Sequence, residues 1–357
     1  MRANPVETRI DKPPPQRQNS PMNRNRRSFL AHGAALAAFP FAARVSAADP
    51  IVIKFSHVVA ADTPKGQGAV RFKEVLESRS AGRIRVEVYP NSTLYKDKEE
   101  LEALQIGAVQ MLAPSLSKFG PLGVRQFELF DLPYLFPDEA AFRRVADGDI
   151  GRQLFLLLAN RDIKGLAFWS AGFHVYSANR PIRLPGDLRG LKMRIPSSKV
   201  LEANLRALGA LPQTLAFSDV YQALQTGVVD GTENIPSSYT SQKWYEVQKY
   251  IAVTNHTHTG YAAIMNKPFW EGLSPEYQAL VSGAMKEATA HEDELVAKEN
   301  ADALKTMQAS GKTQVAFLTD SERAAWKSAL APVAQEMESR IGAPLLQSVT
   351  DVASGKA

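Results

Sequence analysis

Between residues 51 and 113 the chain switches repeatedly between two hydrophobic periods, an order that few folds accommodate. Residues 51–55 are a β-rich run. Ile84, Val86 and Val88 alternate with Arg85 and Glu87, and period two predicts a strand with one buried face. Between these runs, Thr63-Pro64 opens a helix carried by Val70, Phe72, Val75 and Leu76. Proline suits the first helical position, where an N–H would have no partner anyway. A second helix is predicted over 98–107 and a third strand over 109–113. Strand, helix, strand, helix, strand predicts a parallel sheet with crossover helices, an α/β fold. Such sheets bind ligands beyond the carboxyl ends of their strands. Here those ends are His57-Val58, Pro90-Asn91 and Pro114-Ser115.

The aromatic run at 127–136 is read as packing between layers rather than a cofactor box. A helix over 138–160 and a strand over 165–169 follow, and 172–176 stays extended, a crossing point into a second lobe. In that lobe Leu191, Met193 and Ile195 alternate with Lys192 and Arg194 until Pro196 ends the strand. Arg194 then sits either on a solvated edge strand or at the rim of a cleft. In a cleft its planar fork of donors matches a carboxylate. Further elements are predicted as helices over 198–208 and from Ser218 to Gly227, and strands over 212–216, 252–256 and 261–266. From Ser274-Pro275 to about Gln308 no proline or glycine run interrupts the pattern, apart from Gly283. A helix of that length exceeds what one small domain needs and is expected to run across both lobes. A last helix is predicted from Asp320.

The chain has no cysteine, which excludes disulfides, thiolate metal sites and a cysteine nucleophile. Its net charge of +5 is misleading. Eight of the 42 basic residues and two of the 37 acidic ones fall in residues 1–48, leaving 34 basic against 35 acidic in the rest. The near-neutral body lacks the basic footprint of a nucleic-acid binder. The basic leader has a pattern of its own. Asn25-Arg26-Arg27-Ser28-Phe29-Leu30 is a twin-arginine core, followed by an apolar run at 34–41 and the small-residue exit Val45-Ser46-Ala47-Ala48. This predicts an export signal cleaved after Ala47 or Ala48, with Met22 as an alternative start, and a soluble periplasmic mature protein.

Motifs for a nucleophile elbow, a phosphate loop, a dinucleotide fold and a zinc protease are all missing from the sequence. His256-Thr257-His258 has no nearby cysteine or carboxylate in sequence and is read as structural, so no metal is expected. Asp230 and Glu233 flank a glycine turn, where acids usually bond the backbone. No catalytic residues and no cofactor are expected.

Six segments, in order, resemble DctP-type substrate-binding proteins of tripartite ATP-independent periplasmic (TRAP) transporters. They lie at 83–94, 101–111 (LEALQIGAVQM), 130–136 (FDLPYLF), 184–196 (LPGDLRGLKMRIP), 208–234 and 245–256 (YEVQKYIAVTNH). The resemblance implies a two-lobe periplasmic-binding-protein-like fold, with crossing strands between the lobes and a long helix spanning both. Residues 49–171 with 260–299 would form lobe I, and 172–259 with 300–357 lobe II. It implies capture of a small organic acid, delivery to a small and a large membrane subunit, and a monomer. Arg194 matches the family arginine that pairs with the substrate carboxylate, Asn234 a ligand-contacting asparagine and Phe217 a packing aromatic. Ser197, Ser115, Val58 and Trp244 fall in pocket-lining segments.

Many relatives carry a second arginine where this chain has His174, after Gly172-Phe173. That difference leaves Arg194 as the one permanent cation expected at the ligand and keeps a monocarboxylate or hydroxy or keto acid open. A protonated His174 would instead supply a second, pH-dependent cation. Two other readings stay open: a binding protein that feeds a periplasmic sensor, and a periplasmic enzyme acting on a carboxylic acid.

Overall fold

The computed structural model describes residues 49–356, so the leader and its twin-arginine motif lie outside the described residues. The chain begins with β1 (Ile51–Ser56), α1 (Pro64–Arg79), β2 (Ile84–Tyr89), α2 (Glu100–Gln105) and β3 (Met111–Leu112). After 3-10 turns at Leu116–Phe119 and Arg125–Asp131 come α3 (Glu139–Ala146), α4 (Asp149–Ala159), β4 (Ile163–Phe173) and β5 (Val175–Ala178). Next are β6 (Lys192–Ile195), α5 (Lys199–Ala207), β7 (Leu211–Thr214), α6 (Val220–Gln225), β8 (Gly231–Asn234) and α7 (Pro236–Ser241). The described chain ends with β9 (Tyr250–Val253), β10 (His258–Asn266), α8 (Lys267–Gly272), α9 (Pro275–Ala309), β11 (Gln314–Phe317), α10 (Asp320–Ile341) and α11 (Ala343–Ala353).

The strands form two mixed sheets, ordered β2-β1-β3-β10-β4 and β11-β9-β5-β8-β6-β7. β1 lies parallel to β2 and β3, as the opening alternation requires, and β10 returns antiparallel to β3 and β4. The chain changes sheets three times, twice through short strand crossings and once through α9, which leads from β10 of the first sheet to β11 of the second. His174 alone separates β4 of the first sheet from β5 of the second, and residues 254–257 lead back from β9 to β10. Gly172, at φ +95°, takes the positive-φ turn that redirects the strand there.

Helix α9 starts where Ser274 Oγ accepts the Tyr277 N–H at 3.3 Å. Its 35 residues would span about 52 Å at 1.5 Å per residue. It packs on α1 and β4 of the first sheet's side and on α7 and β11 of the second's. The aromatic run at 127–136 is core: Phe127, Phe130 and Phe136 are buried against Phe142 and Phe168. Among the described residues no helix is long and apolar enough to cross a membrane.

Several boundaries differ from the sequence pattern. The single helix expected over 138–160 is two, because Gly148 is extended (φ −83°, ψ −166°) and starts α4 afresh. The last helix is likewise broken at Gly342, at φ +112°. The strand expected over 252–256 ends at Val253, since the residues after it form the return crossing. β11, which the sequence reading lacks, borders β9. β6 is not an edge strand: β7 and β8 flank it.

One close approach in the second sheet gives a direct test. A Cβ on Gly231 of β8 would lie 2.1 Å from the Ser177 carbonyl and 2.9 Å from Met193 Sδ. Gly231→Ala should therefore cost more than about 2 kcal/mol in a urea or thermal melt, since backbone on a paired strand cannot yield as a side-chain end can. A melt equal to wild type would show that the strands separate at little cost.

Candidate functional site

The cavity is built from Arg194 outward. β6 ends at Pro196, so Arg194 lies at the strand's carboxyl end, yet it is only 1% exposed. Its Nε and Nη2 both donate to the Leu215 carbonyl, at 3.0 and 2.8 Å. Asp97 Oδ2 is 4.0 Å from Nη2. The guanidinium is thus clamped along one edge, and neither of these bonds uses Nη1. Arg194 lines a narrow cavity of about 50 Å3 together with Val58, Ser115, His174, Phe217 and Asn234. The structure therefore brings six of the eight sequence-predicted site residues to one place.

The other two lie elsewhere. Ser197 is exposed and faces the adjoining groove beside Leu101 and Leu215. Trp244 is fully buried behind Phe217, ring centroids 5.1 Å apart, and stands edge-on to Tyr239. It packs on the Phe217 ring and does not line the cavity. Asn234 ends β8, and its Oδ1 accepts the Ile235 N–H at 2.9 Å, which leaves the amide nitrogen to donate.

The sequence reading missed Lys65, Asp97 and Lys118, all of which line the same cavity. Arg194 is therefore not the lone permanent cation. Lys118 is neutralised: its ammonium bonds Asp97 Oδ1 at 2.5 Å and also Glu100. Burial opposes the charge on Asp97, but Lys118 and then Arg194 outweigh it and hold its carboxyl down at about 2. Asp97 Oδ2 also accepts the Phe217 N–H at 2.6 Å, which ties the start of α2 to the far wall. Lys65 differs. It is 2% exposed, donates to the Ala113 carbonyl at 3.0 Å and sits 3.7 Å from the centroid of the Tyr261 ring. Burial pulls its pKa down to about 7. A lysine in the first turn of a helix opposes the helix dipole, and that mismatch was a signal open to sequence reading.

His174 sits at the crossing and is engaged from both sides. Nε2 meets Thr259 Oγ1, and Nδ1 lies 3.3 Å from Glu233 Oε2, within ion-pair reach but off the line of a hydrogen bond. Glu233 is not a turn acid bonded to backbone. It is buried and accepts from His256 Nε2 at 2.7 Å. Asp230 does bond backbone, accepting the Lys192 N–H at 2.8 Å. His258 faces away and meets Glu139 at 3.0 Å and Ser170 at 3.1 Å. Asp131 joins the two walls through Ser117 Oγ at 2.9 Å and Ser198 Oγ at 2.6 Å. Burial raises its carboxyl to about 7.

Two α/β layers, joined by two strand crossings and a long helix and meeting at a small cavity with an arginine fork, define a solute-binding protein. The relatives specify which kind. The family model for bacterial extracellular solute-binding protein, family 7 (DctP), matches residues 55–340, and the chain belongs to that family. It is 58% identical over 302 residues to the C4-dicarboxylate-binding periplasmic protein DctP of Rhodobacter capsulatus, covering 85% of this chain and 91% of that one. A TRAP periplasmic solute-binding protein of Shewanella oneidensis with bound succinate superposes at a TM-score of 0.83. It shares 37% identity and covers 85% of this chain and 99% of its own. Another from Pseudomonas aeruginosa PAO1, with bound L-malate, gives 0.79 at 41% identity, covering 80% and 100%. The protein is a TRAP-type solute-binding protein.

Proposed function

We propose that the protein captures a C4-dicarboxylate in the periplasm and delivers it to the small and large membrane subunits of a TRAP transporter. The observation that carries this reading is the 58% identity to a C4-dicarboxylate-binding protein, combined with Arg194 in the cavity. Arg194 takes one carboxylate through its free nitrogen, Asn234 donates from its amide, and Phe217 excludes water. A charge-assisted hydrogen bond contributes roughly 1.5–3 kcal/mol, so two or three supply much of the ~8 kcal/mol behind micromolar binding. The layers carrying the two sheets close on the ligand, because a carboxylate held between them gives the guanidinium's unused nitrogen an acceptor that Leu215 does not supply. The protein binds without turnover and acts as a monomer. Export by the twin-arginine leader accounts for the basic segment at 1–48.

Calorimetry on the purified mature chain tests the reading. Succinate and L-malate are expected to bind with micromolar or tighter affinity and to be recovered unchanged. No heat with either, tighter binding of a sugar acid, or conversion of the ligand would overturn it.

A further inference from the structure

We infer that Lys65 is the second carboxylate anchor, so that a dicarboxylate spans the cavity from Arg194 to Lys65. This rests on the function proposed above and specifies how the site tells two carboxylates from one. Lys65 enters the cavity from α1, beside the first sheet, whereas Arg194 enters from β6 of the second. A ligand bonded to both ties the two layers together, and a monocarboxylate cannot.

The state of Lys65 is what an anchor needs. An ammonium has three protons to donate, and a single carbonyl, that of Ala113, accepts from this one. The nearby carboxylates Asp97 and Glu100 are engaged by Lys118. Behind Lys65 lies a second, smaller space, shared with Tyr261, Ser237 and Glu292. Both oxygens of Glu292 are buried and without a hydrogen-bond partner among the described residues, and burial raises its carboxyl well above the usual range. A protonated Glu292 does not neutralise Lys65. His57, buried on the same side, is held down at about 3 by burial and then by Lys65, so it is neutral. The groups facing Lys65 are thus His57, Asp97, Glu100, Lys118, Tyr261 and Glu292, and none supplies a free anion. A buried ammonium left in that state is costly by itself. A ligand carboxylate removes the cost.

The test uses succinate and its monoamide succinamate, titrated calorimetrically at pH 6.5 and 8.5 into wild type and Lys65→Gln. Wild type should prefer succinate at least tenfold at pH 6.5. The preference should shrink at pH 8.5, because a lysine titrating near 7 must take up a proton as the second carboxylate arrives. Groups whose titration affects any acid act on both ligands and cancel in the ratio. Lys65→Gln should lose at least tenfold for succinate, change less than threefold for succinamate, and show no pH dependence of the ratio. Equal losses for both ligands would make Lys65 structural, and a pH-dependent ratio persisting in Lys65→Gln would assign the second carboxylate to His174. Either result overturns the inference while leaving dicarboxylate capture intact. Wild type binding neither acid removes both. Should the variant fail to fold, wild type decides alone: a succinate preference identical at the two pH values overturns the assignment.

Discussion

Arg194→Lys should weaken succinate binding at least about tenfold, and Arg194→Gln about a hundredfold or more, with apo stability far less affected. Lysine keeps the charge but lacks the fork. In wild type the Leu215 carbonyl receives Nε and Nη2, and this fixes the guanidinium plane before any ligand arrives. A lysine ammonium that reaches for the ligand gives up that carbonyl, and one that keeps it meets the ligand off-axis. Losing one charge-assisted bond of roughly 2 kcal/mol already exceeds the 1.4 kcal/mol of a tenfold change. Asp97 raises the stakes: its low pKa rests partly on Arg194, after Lys118. In Arg194→Gln a carboxylate at the cavity wall loses one of its counter-charges and repels the incoming dianion. Calorimetry on both variants, beside melting curves without ligand, separates binding from folding. An unchanged affinity in Arg194→Lys would remove the pairing and leave Asn234 and Lys65 to hold the acid.

What the sequence made legible followed from local periodicity. The helix at Pro275–Ala309 begins after the predicted cap, and the parallel trio β1, β2 and β3 follows from the opening alternation. The crossing at 172–176 was readable because Gly172 interrupts an extended run. Period two, however, tells only which residues share a face, not whether that face is covered. Lys192 and Arg194 alternate together, yet Lys192 is exposed and Arg194 buried. What covers Arg194 comes from residues 97 and 215, far away in the chain. Trp244 failed for a similar reason. An aromatic in a pocket-lining segment can stand behind the wall as easily as in it, and only packing against Phe217 and Tyr239 decides. Lys65 carried one weak signal, a cation in the first turn of a helix, but whether that turn is buried depends on packing far away in the chain. His256 and Glu233, separated by 22 residues in sequence, gave no motif because their meeting is made by the return crossing.

That meeting sets the largest stability effect expected outside the ligand contacts. Glu233→Ala should cost about 2–4 kcal/mol, as removing a buried carboxylate that accepts a charge-assisted hydrogen bond and leaving a cavity does, and lower the melting temperature by roughly 4–12 °C. Glu233 stands beside both crossings. His174 belongs to the outward one and His256 to the return, and Oε2 lies 3.3 and 2.7 Å from their nitrogens. His256 is further fixed by Thr254 Oγ1 at 2.7 Å and by Tyr176, stacked 4.0 Å away. Burial by itself would raise the Glu233 carboxyl, but His174 and then His256 overturn it and hold it down at about 2. A carboxylate depressed in the folded state contributes stability above its ordinary value near 4.5, and that contribution is lost as pH falls toward 2. Glu233→Gln, which keeps the shape and removes the charge, should therefore be less stable than wild type at pH 7, with the gap narrowed to less than about half by pH 3. Urea midpoints at the two pH values measure it. A gap of equal size at both would mean that shape rather than charge holds the crossings. Because His174 and Asn234 both line the cavity beside Glu233, succinate affinity should fall along with stability in Glu233→Ala.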